Sequence, residues 1–353
     1  MPQARARPSR PIAVRPPRAA RATAGLLALI GPLCLASDDA WSAAVVLPVQ
    51  RGLAIPTWTR NGYADPSLRR DFQQILDVGA DWVQLTPTQY QDDLHSSRIG
   101  PTGQTVDDAD LEGAIRVAHD AGLRVLLKPN VDVTGLPGNQ GNISPHDPGA
   151  WFANYTPMIV HYADIAERLR VDEFSVGTEL AGLSADRSAW LELVHTVRQH
   201  YTGPLLYSAS HGEYRKVAFW DALDLIGVNA YWPLSRRPTH DVSLLRSAWS
   251  PIVQELALFA AAHHRQIVFT EVGYISAQGT TTKPYSWTVS KVPDQAEQAA
   301  AYSALLSAFQ GQQWWDGVYW WVWVALPDAT GNDEADFSAR GKAAERVLRQ
   351  WWK

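Results

Sequence analysis

Cysteine occurs once in 353 residues, as Cys34. A single cysteine excludes an intrachain disulfide and any cysteine-based metal centre. An excess of basic charge is also missing: 31 Lys and Arg face 36 Asp and Glu, for a net charge of −5. No basic face is implied, so no nucleic acid partner is expected. The longest apolar run, Ala24 to Ala36, is shorter than the ~20 residues of a membrane span, so no membrane span is expected. There is no glycine-rich dinucleotide turn and no phosphate loop. His95, His146 and His211 lie in loop-like segments without metal-ligand spacing, and neither a metal nor a cofactor is called for.

What is there is an ordinary globular balance with one anomaly. Hydrophobic residues make up 46% and charged residues 19%, too apolar for a disordered chain and too balanced for a coiled coil. Tryptophan is the anomaly, with 16 residues against 2 Met and 8 Phe. Each indole N–H needs a partner when buried. Two readings stay open: a Trp-rich core, or a cleft that stacks on flat ligand faces such as sugar rings.

The N-terminal segment reads as a leader. Residues 1–37 carry six Arg and no acidic residue, the apolar run follows, and a small-residue site stands at Ser42-Ala43-Ala44. Basic, apolar and small in that order is the pattern of a secretory signal peptide. Cleavage near Ala44 is expected, giving a signal peptide over 1–44, a domain over 45–353 and export to the periplasm or beyond.

Beyond the leader, short β-rich runs alternate with helical patterns. The runs lie at 52–55, 82–85, 124–128, 173–177, 205–208, 225–229, 267–270 and 317–323. They are near-continuously apolar, as expected of strands buried on both faces of a parallel sheet. Helices are expected at 66–78, 107–120, 148–169, 187–200, 242–263 and 294–309, the last opening on a capping-box-like Asp294-Gln-Ala-Glu297. Eight such units with no second core indicate a single (β/α)8 barrel, with a doubly wound open sheet as the alternative. Long inserts at 86–106, 129–147 and 272–293 fall on the strand-to-helix side, the face where a barrel carries its chemistry.

Two glutamates stand directly after apolar runs. Glu179 follows the fourth and Glu271 lies at the end of the seventh. One such carboxylate would most simply cap a helix or pair with an Arg. Two of them, three strand–helix units apart, face each other across one barrel mouth. Glycoside hydrolysis needs that pair: a protonated carboxyl to assist the departing oxygen, and an ionised one for the anomeric carbon.

The chain resembles clan A of the glycoside hydrolases, and within it glycoside hydrolase family 113, the endo-β-1,4-mannanases and related β-mannoside enzymes. The likeness runs over most of residues 51–325. It includes Tyr90-Gln91, Leu127-Lys-Pro129, Val131-Asp132, Ala150-Trp-Phe152 and Phe174-Ser-Val-Gly-Thr-Glu-Leu180. It continues through Phe219-Trp-Asp221, Ile226-Gly-Val228 with Tyr231, and Phe269-Thr-Glu-Val-Gly-Tyr274. The resemblance implies a retaining enzyme with Glu179 as acid/base and Glu271 as nucleophile, their carboxyl groups about 5–5.5 Å apart. It implies that Tyr231 hydrogen-bonds the nucleophile. It places Lys128, Asn130, Asp132, Gln91 and Tyr274 against substrate, Lys128 binding sugar hydroxyls or accompanying Glu179. By the two-residue period, Trp321 and Trp323 share one face of the eighth run, with Trp323 nearer the mouth as the expected sugar platform, and Trp320 points at the helices.

The chain also departs from the family. Lys128-Pro-Asn130 stands where the family tends to read Lys-Pro-His. Ser210-His-Gly212 replaces an Asn-Trp-Asp stretch, and Gly138-Asn-Gln-Gly-Asn142 stands in place of a Trp-Arg-Gly element. The expectation is an exported monomer hydrolysing β-1,4-mannan or glucomannan, with a polysaccharide or oligosaccharide as its partner. Hydrolysis of another β-linked exopolysaccharide, or sugar binding without turnover, are the alternatives.

Overall fold

The computed structural model describes residues 49–323 and 335–353. The leader expected over 1–44 lies outside the described residues. No helix among the described residues is long and apolar enough to cross a membrane.

Eight parallel strands close into a barrel: β1 (Gln50–Pro56), β2 (Trp82–Thr86), β3 (Arg124–Leu127), β4 (Glu173–Thr178), β5 (Leu205–Ser210), β6 (Leu225–Asn229), β7 (Ile267–Val272) and β8 (Trp315–Trp320). Each pairs with its sequence neighbours, and β8 closes on β1. The apolar runs are these strands, buried inside and out. The helices are α1 (Leu68–Asp77), α2 (Asp108–Ala121), α3 (Pro148–Leu169), α4 (Arg187–Val197), α5 (Val242–His263), α6 (Gln295–Phe309) and α7 (Ala343–Trp352). Five of them start on an aspartate, and four of these, Asp147, Asp186, Asp241 and Asp294, accept a backbone N–H of the first turn through the side chain.

Between β5 and β6, where the sequence reading places no helix, the chain makes a 3-10 turn, Trp220–Ala222. At two other points the structure differs from that reading. α7 follows β8 and closes the ring: the Trp352 carbonyl accepts from Arg51 Nη1 at 2.8 Å. Glu297 does not complete a capping box. Its carboxylate turns to the loop after β7 and accepts from Gly279 N at 2.8 Å and Thr281 Oγ1 at 2.6 Å.

The lumen is filled rather than open. Trp82, Leu126, Leu206, Val268 and Tyr319 form one inner layer. Gly52 gives Tyr319 its room, since a Cβ at that position would lie 2.2 Å from the Tyr319 ring. Outside the barrel, Trp151, Trp190, Trp220, Trp249 and Trp320 are fully buried beneath the helices. Trp320 stacks on Tyr302 of α6 at 3.7 Å, as strand alternation requires.

At the C-terminal mouth, Thr88–Gln91 pairs with Asn130–Val133 and with Ile99–Gly100 in a small second sheet. This sheet continues the inserts after β2 and β3 as a rigid rim. It fixes the backbone just beyond Lys128.

Candidate active site

Glu179 follows β4 with its backbone at φ 52, a left-handed conformation that non-glycine residues rarely adopt. Its neighbours hold it there. The Glu179 amide donates to the Ser208 carbonyl at 2.9 Å. The next amide, Leu180 N, donates to Tyr207 Oη at 2.7 Å, and that hydroxyl donates to Glu213 Oε1 at 2.6 Å. Both carboxyl oxygens are engaged. Asn229 Nδ2 donates to Oε1 at 3.0 Å and Gln140 Nε2 donates to Oε2 at 3.0 Å. Burial, and then the charge of Glu271, push the Glu179 carboxyl up to about 7, against the opposing pull of Asn229 and Lys128.

Glu271 lies in β7 with Asn229 of β6 as its register partner. Its Oε1 pairs with Lys128 Nζ, and its Oε2 accepts from Tyr231 Oη at 3.0 Å. The Lys128 side chain is 0% exposed, so its charge is compensated by Glu271 rather than by water. Burial, and then the Glu271 charge, hold the Tyr231 hydroxyl well above its usual range, so it stays a donor. The two carboxyl groups thus meet contrasting surroundings: amide donors around Glu179, an ammonium and a phenol around Glu271.

Glu271, Lys128 and Gln140, the Nε2 donor to Glu179, line a cleft of about 750 Å³. Lys128, Asn130, Asp132, Gln140, Thr178 and Glu271 line its floor, and Trp58, Tyr285, Trp287 and Trp321 form aromatic walls. Trp321 meets Trp58 edge-on at 6.1 Å. Trp287 is 51% exposed yet braced edge-on against Phe337 at 4.5 Å. Asn130 Oδ1 and Thr178 Oγ1 are buried with no partner among the described residues. Orphaned acceptors and hydroxyls beside indole faces suit a polyhydroxylated ring. The tryptophans therefore fall in both of the places left open by composition, most in the core and three at the cleft.

Glu179, Glu271, Lys128, Asn130, Asp132, Tyr231 and Trp321 come together at this mouth. Three expected contacts do not. Gln91 is 1% exposed and occupied: its Oε1 accepts from Trp151 Nε1 at 3.0 Å, and its Nε2 donates to the Asp93 carbonyl. Tyr274 is fully buried, near Tyr302. Trp323 is 1% exposed and part of the core. The ladder of β8 ends at Trp320, so its two-residue period does not extend to Trp323. Beyond it Trp321 N donates to the Val272 carbonyl and Trp323 N to that of Ala54, as the chain crosses the barrel end. The open indole is Trp321. Lys128 pairs directly with Glu271, not with Glu179.

Sequence reasoning missed Asn229, Gln140, Trp58, Tyr285 and Trp287. Asn229 carried the same signal as the glutamates, a polar residue closing an apolar run. The others sit in inserts without periodicity. His95 and His146 stack on each other at 4.8 Å, and His211 packs by Trp232 at 5.4 Å.

Comparison with known proteins agrees with this geometry. The sequence pattern of Glycoside Hydrolase Family 113 matches residues 55–342. The chain is similar to a solved GH113 β-1,4-mannanase in complex, at 25% identity and a TM-score of 0.78, over 87% of this chain and 99% of that one. It is similar to the GH113 β-mannanase AaManA from Alicyclobacillus acidocaldarius in complex with ManMIm, at 28% identity and a TM-score of 0.77, over 87% and 97%. A β-glucuronidase from Faecalibacterium prausnitzii shares the fold at 17% identity and a TM-score of 0.57, over 86% of this chain and 48% of that one. No curated protein sequence matches the chain. With the family pattern running from the end of β1 to the residue before α7, the chain belongs to glycoside hydrolase family 113, and it is a glycoside hydrolase.

Proposed function

We propose that the protein hydrolyses β-1,4-linked mannan or glucomannan by double displacement, with Glu271 as nucleophile and Glu179 as acid/base. The observation that carries this reading is the contrast between the two carboxyl groups. Glu179 is pushed up to about 7 by burial and by Glu271. It holds a proton near neutral pH, as a general acid must. Glu271 is paired with Lys128 and accepts from Tyr231. Its negative charge is balanced in place, as a nucleophile requires.

In the first step Glu271 attacks the anomeric carbon while Glu179 protonates the departing oxygen. In the second, Glu179 takes a proton from water as the water attacks the glycosyl ester. Trp321 provides an apolar face for the ring at the cleaved bond, and Asn130 and Asp132 face its hydroxyls. The mannan assignment rests on the similarity to solved GH113 β-mannanases. The second reading, another β-linked exopolysaccharide, is favoured by Asn130 at a cleft-lining position where the family tends to carry His. The basic-then-apolar residues 1–44 support export through a cleaved signal peptide, and a monomer is the form proposed.

The test is release of reducing ends from mannan, glucomannan, chitosan and β-glucans by the purified protein. The account expects mannan or glucomannan to lead. Binding without hydrolysis of any of them would make the barrel a carbohydrate-binding module.

A further inference from the structure

The two amides that donate to Glu179 are held differently. The oxygen of Asn229 accepts from Thr270 Oγ1 at 2.8 Å, so both ends of its amide are engaged. The oxygen of Gln140 is buried and has no partner among the described residues. Nothing fixes which end of the Gln140 amide faces Glu179. A protonated carboxyl oxygen is a poorer acceptor than its carbonyl partner, so an amide N–H favours the unprotonated oxygen. Oε1, held by the Asn229 donor, is therefore the less favoured site for the proton. Oε2, held by Gln140, is open to it once that amide turns.

The loop that carries Gln140 is seated to do this. The 3-10 turn Gln140–Asn142 passes close to Glu179: an added Cβ at Gly141 would lie 3.6 Å from the Glu179 carbonyl oxygen. An added Cβ at Gly182 would meet the Ile143 carbonyl oxygen at 2.2 Å, so only glycine admits so close an approach.

We propose that Gln140 is a positioning residue that follows the proton on Glu179, donating Nε2–H to the carboxylate and turning its carbonyl to the carboxylic acid, so that Oε2 is the atom that gives and takes the proton. This rests on the reading of Glu179 as acid/base. In the first step the Oε2–H bond breaks and the proton bonds to the departing oxygen, which keeps the electron pair of its bond to carbon. Glu271 forms its bond to that carbon. Gln140 Nε2–H then holds Glu179 as the carboxylate. In the second step water gives its proton to Oε2 and its oxygen to the carbon, and the ester bond to Glu271 breaks.

The charged groups that face Glu179 are Glu271 on β7, Glu213 after β5 and Lys128 after β3, with the neutral Tyr231 after β6. Gln140 comes from outside the barrel wall, so it can be changed without disturbing them. The experiment is a carboxyl NMR titration of the full chain labelled with 13C at glutamate Cδ, Glu179 being assigned by its disappearance in Glu179→Gln. Gln140→Met removes the donor at constant length. The Glu179 midpoint should rise by about one pH unit, because the charge-assisted hydrogen bond to the carboxylate is the stronger of the two that are lost. Gln140→Glu should raise it further, and the alkaline limb of kcat/KM should move with it in both. An unmoved midpoint in folded Gln140→Met overturns the proposal. Should that variant fail to fold, Gly182→Ala displaces the loop with Gln140 intact, and an unmoved midpoint there overturns it equally. The titration needs no turnover, so it separates from the acid/base reading, which fails instead if Glu179→Ala hydrolyses unactivated substrate at the wild-type rate.

Discussion

Asn229 lies opposite Glu271 in the barrel register, yet its side chain serves the other carboxyl group, donating to Glu179 Oε1 at 3.0 Å. Strand β6 therefore links the two halves of the site. Thr270 Oγ1, one residue before Glu271, fixes the Asn229 amide in turn. Asn229→Ala removes the locked donor and should raise the alkaline limb of the pH–rate profile. It should also cost about a hundredfold in kcat/KM, the low end of what a positioned general acid supplies. An unchanged profile would show that Asn229 only fills space.

Tyr207→Phe tests how the left-handed backbone of Glu179 is held. The Tyr207 hydroxyl accepts from Leu180 N and donates to Glu213. Its removal leaves a buried amide and a buried carboxyl short of a partner, at about 1–3 kcal/mol each. Urea unfolding should show this loss, and activity of the folded fraction should fall as well. A loss of stability with full specific activity would mean that Glu179 needs no such support.

Trp321 and Trp323 should respond oppositely to truncation. Trp321 faces the cleft, so Trp321→Ala should lower kcat/KM by about a hundredfold or more with little change in melting temperature. Trp323 is packed in the core, so Trp323→Ala should cost about 3–5 kcal/mol of stability. Kinetics and thermal midpoints of both variants check this, and a reversed pattern would return the sugar platform to Trp323.

The pH dependence of stability has a defined sign. Burial, and then the charge of Asp316, push Glu173 at the closed end of the barrel from 4.5 up to about 8. A raised carboxyl stabilises the fold below its unfolded value, and that contribution is lost as pH rises through the folded one. Unfolding free energy should therefore decline between pH 4.5 and pH 8. Glu173→Gln should make that decline shallower by about 1.4 kcal/mol per pH unit. An equal slope in the variant, measured by urea unfolding across this range, would contradict it.

The barrel was legible because its strands are buried on both faces and read as unbroken apolar runs. The facing carboxyl groups of Glu179 and Glu271 were legible because a charge at the end of such a run has a cost that needs a reason. Asn229 carried the same signal in weaker form, since an amide at a strand end is less conspicuous than a carboxylate. The platform residue was misplaced because alternation is a property of the ladder, and β8 leaves the ladder at Trp320. Gln91 and Tyr274 shared motifs with the site but were recruited into packing, one by Trp151 and the other beside Tyr302. Gln140, Tyr285 and Trp287 were out of reach because inserts have no period. Their places come from long-range contacts such as those of Glu297 with Gly279 and Thr281.

The most direct test of the central claim is covalent trapping. A 2-deoxy-2-fluoro-β-mannosyl fluoride slows both steps but keeps a reactive leaving group, so a retaining enzyme accumulates its glycosyl ester. Peptide mapping of the trapped protein by mass spectrometry should place a single fluorosugar on Glu271. A label on another carboxylate, or no label on protein that turns over the unfluorinated substrate, would contradict the assignment of Glu271 as nucleophile.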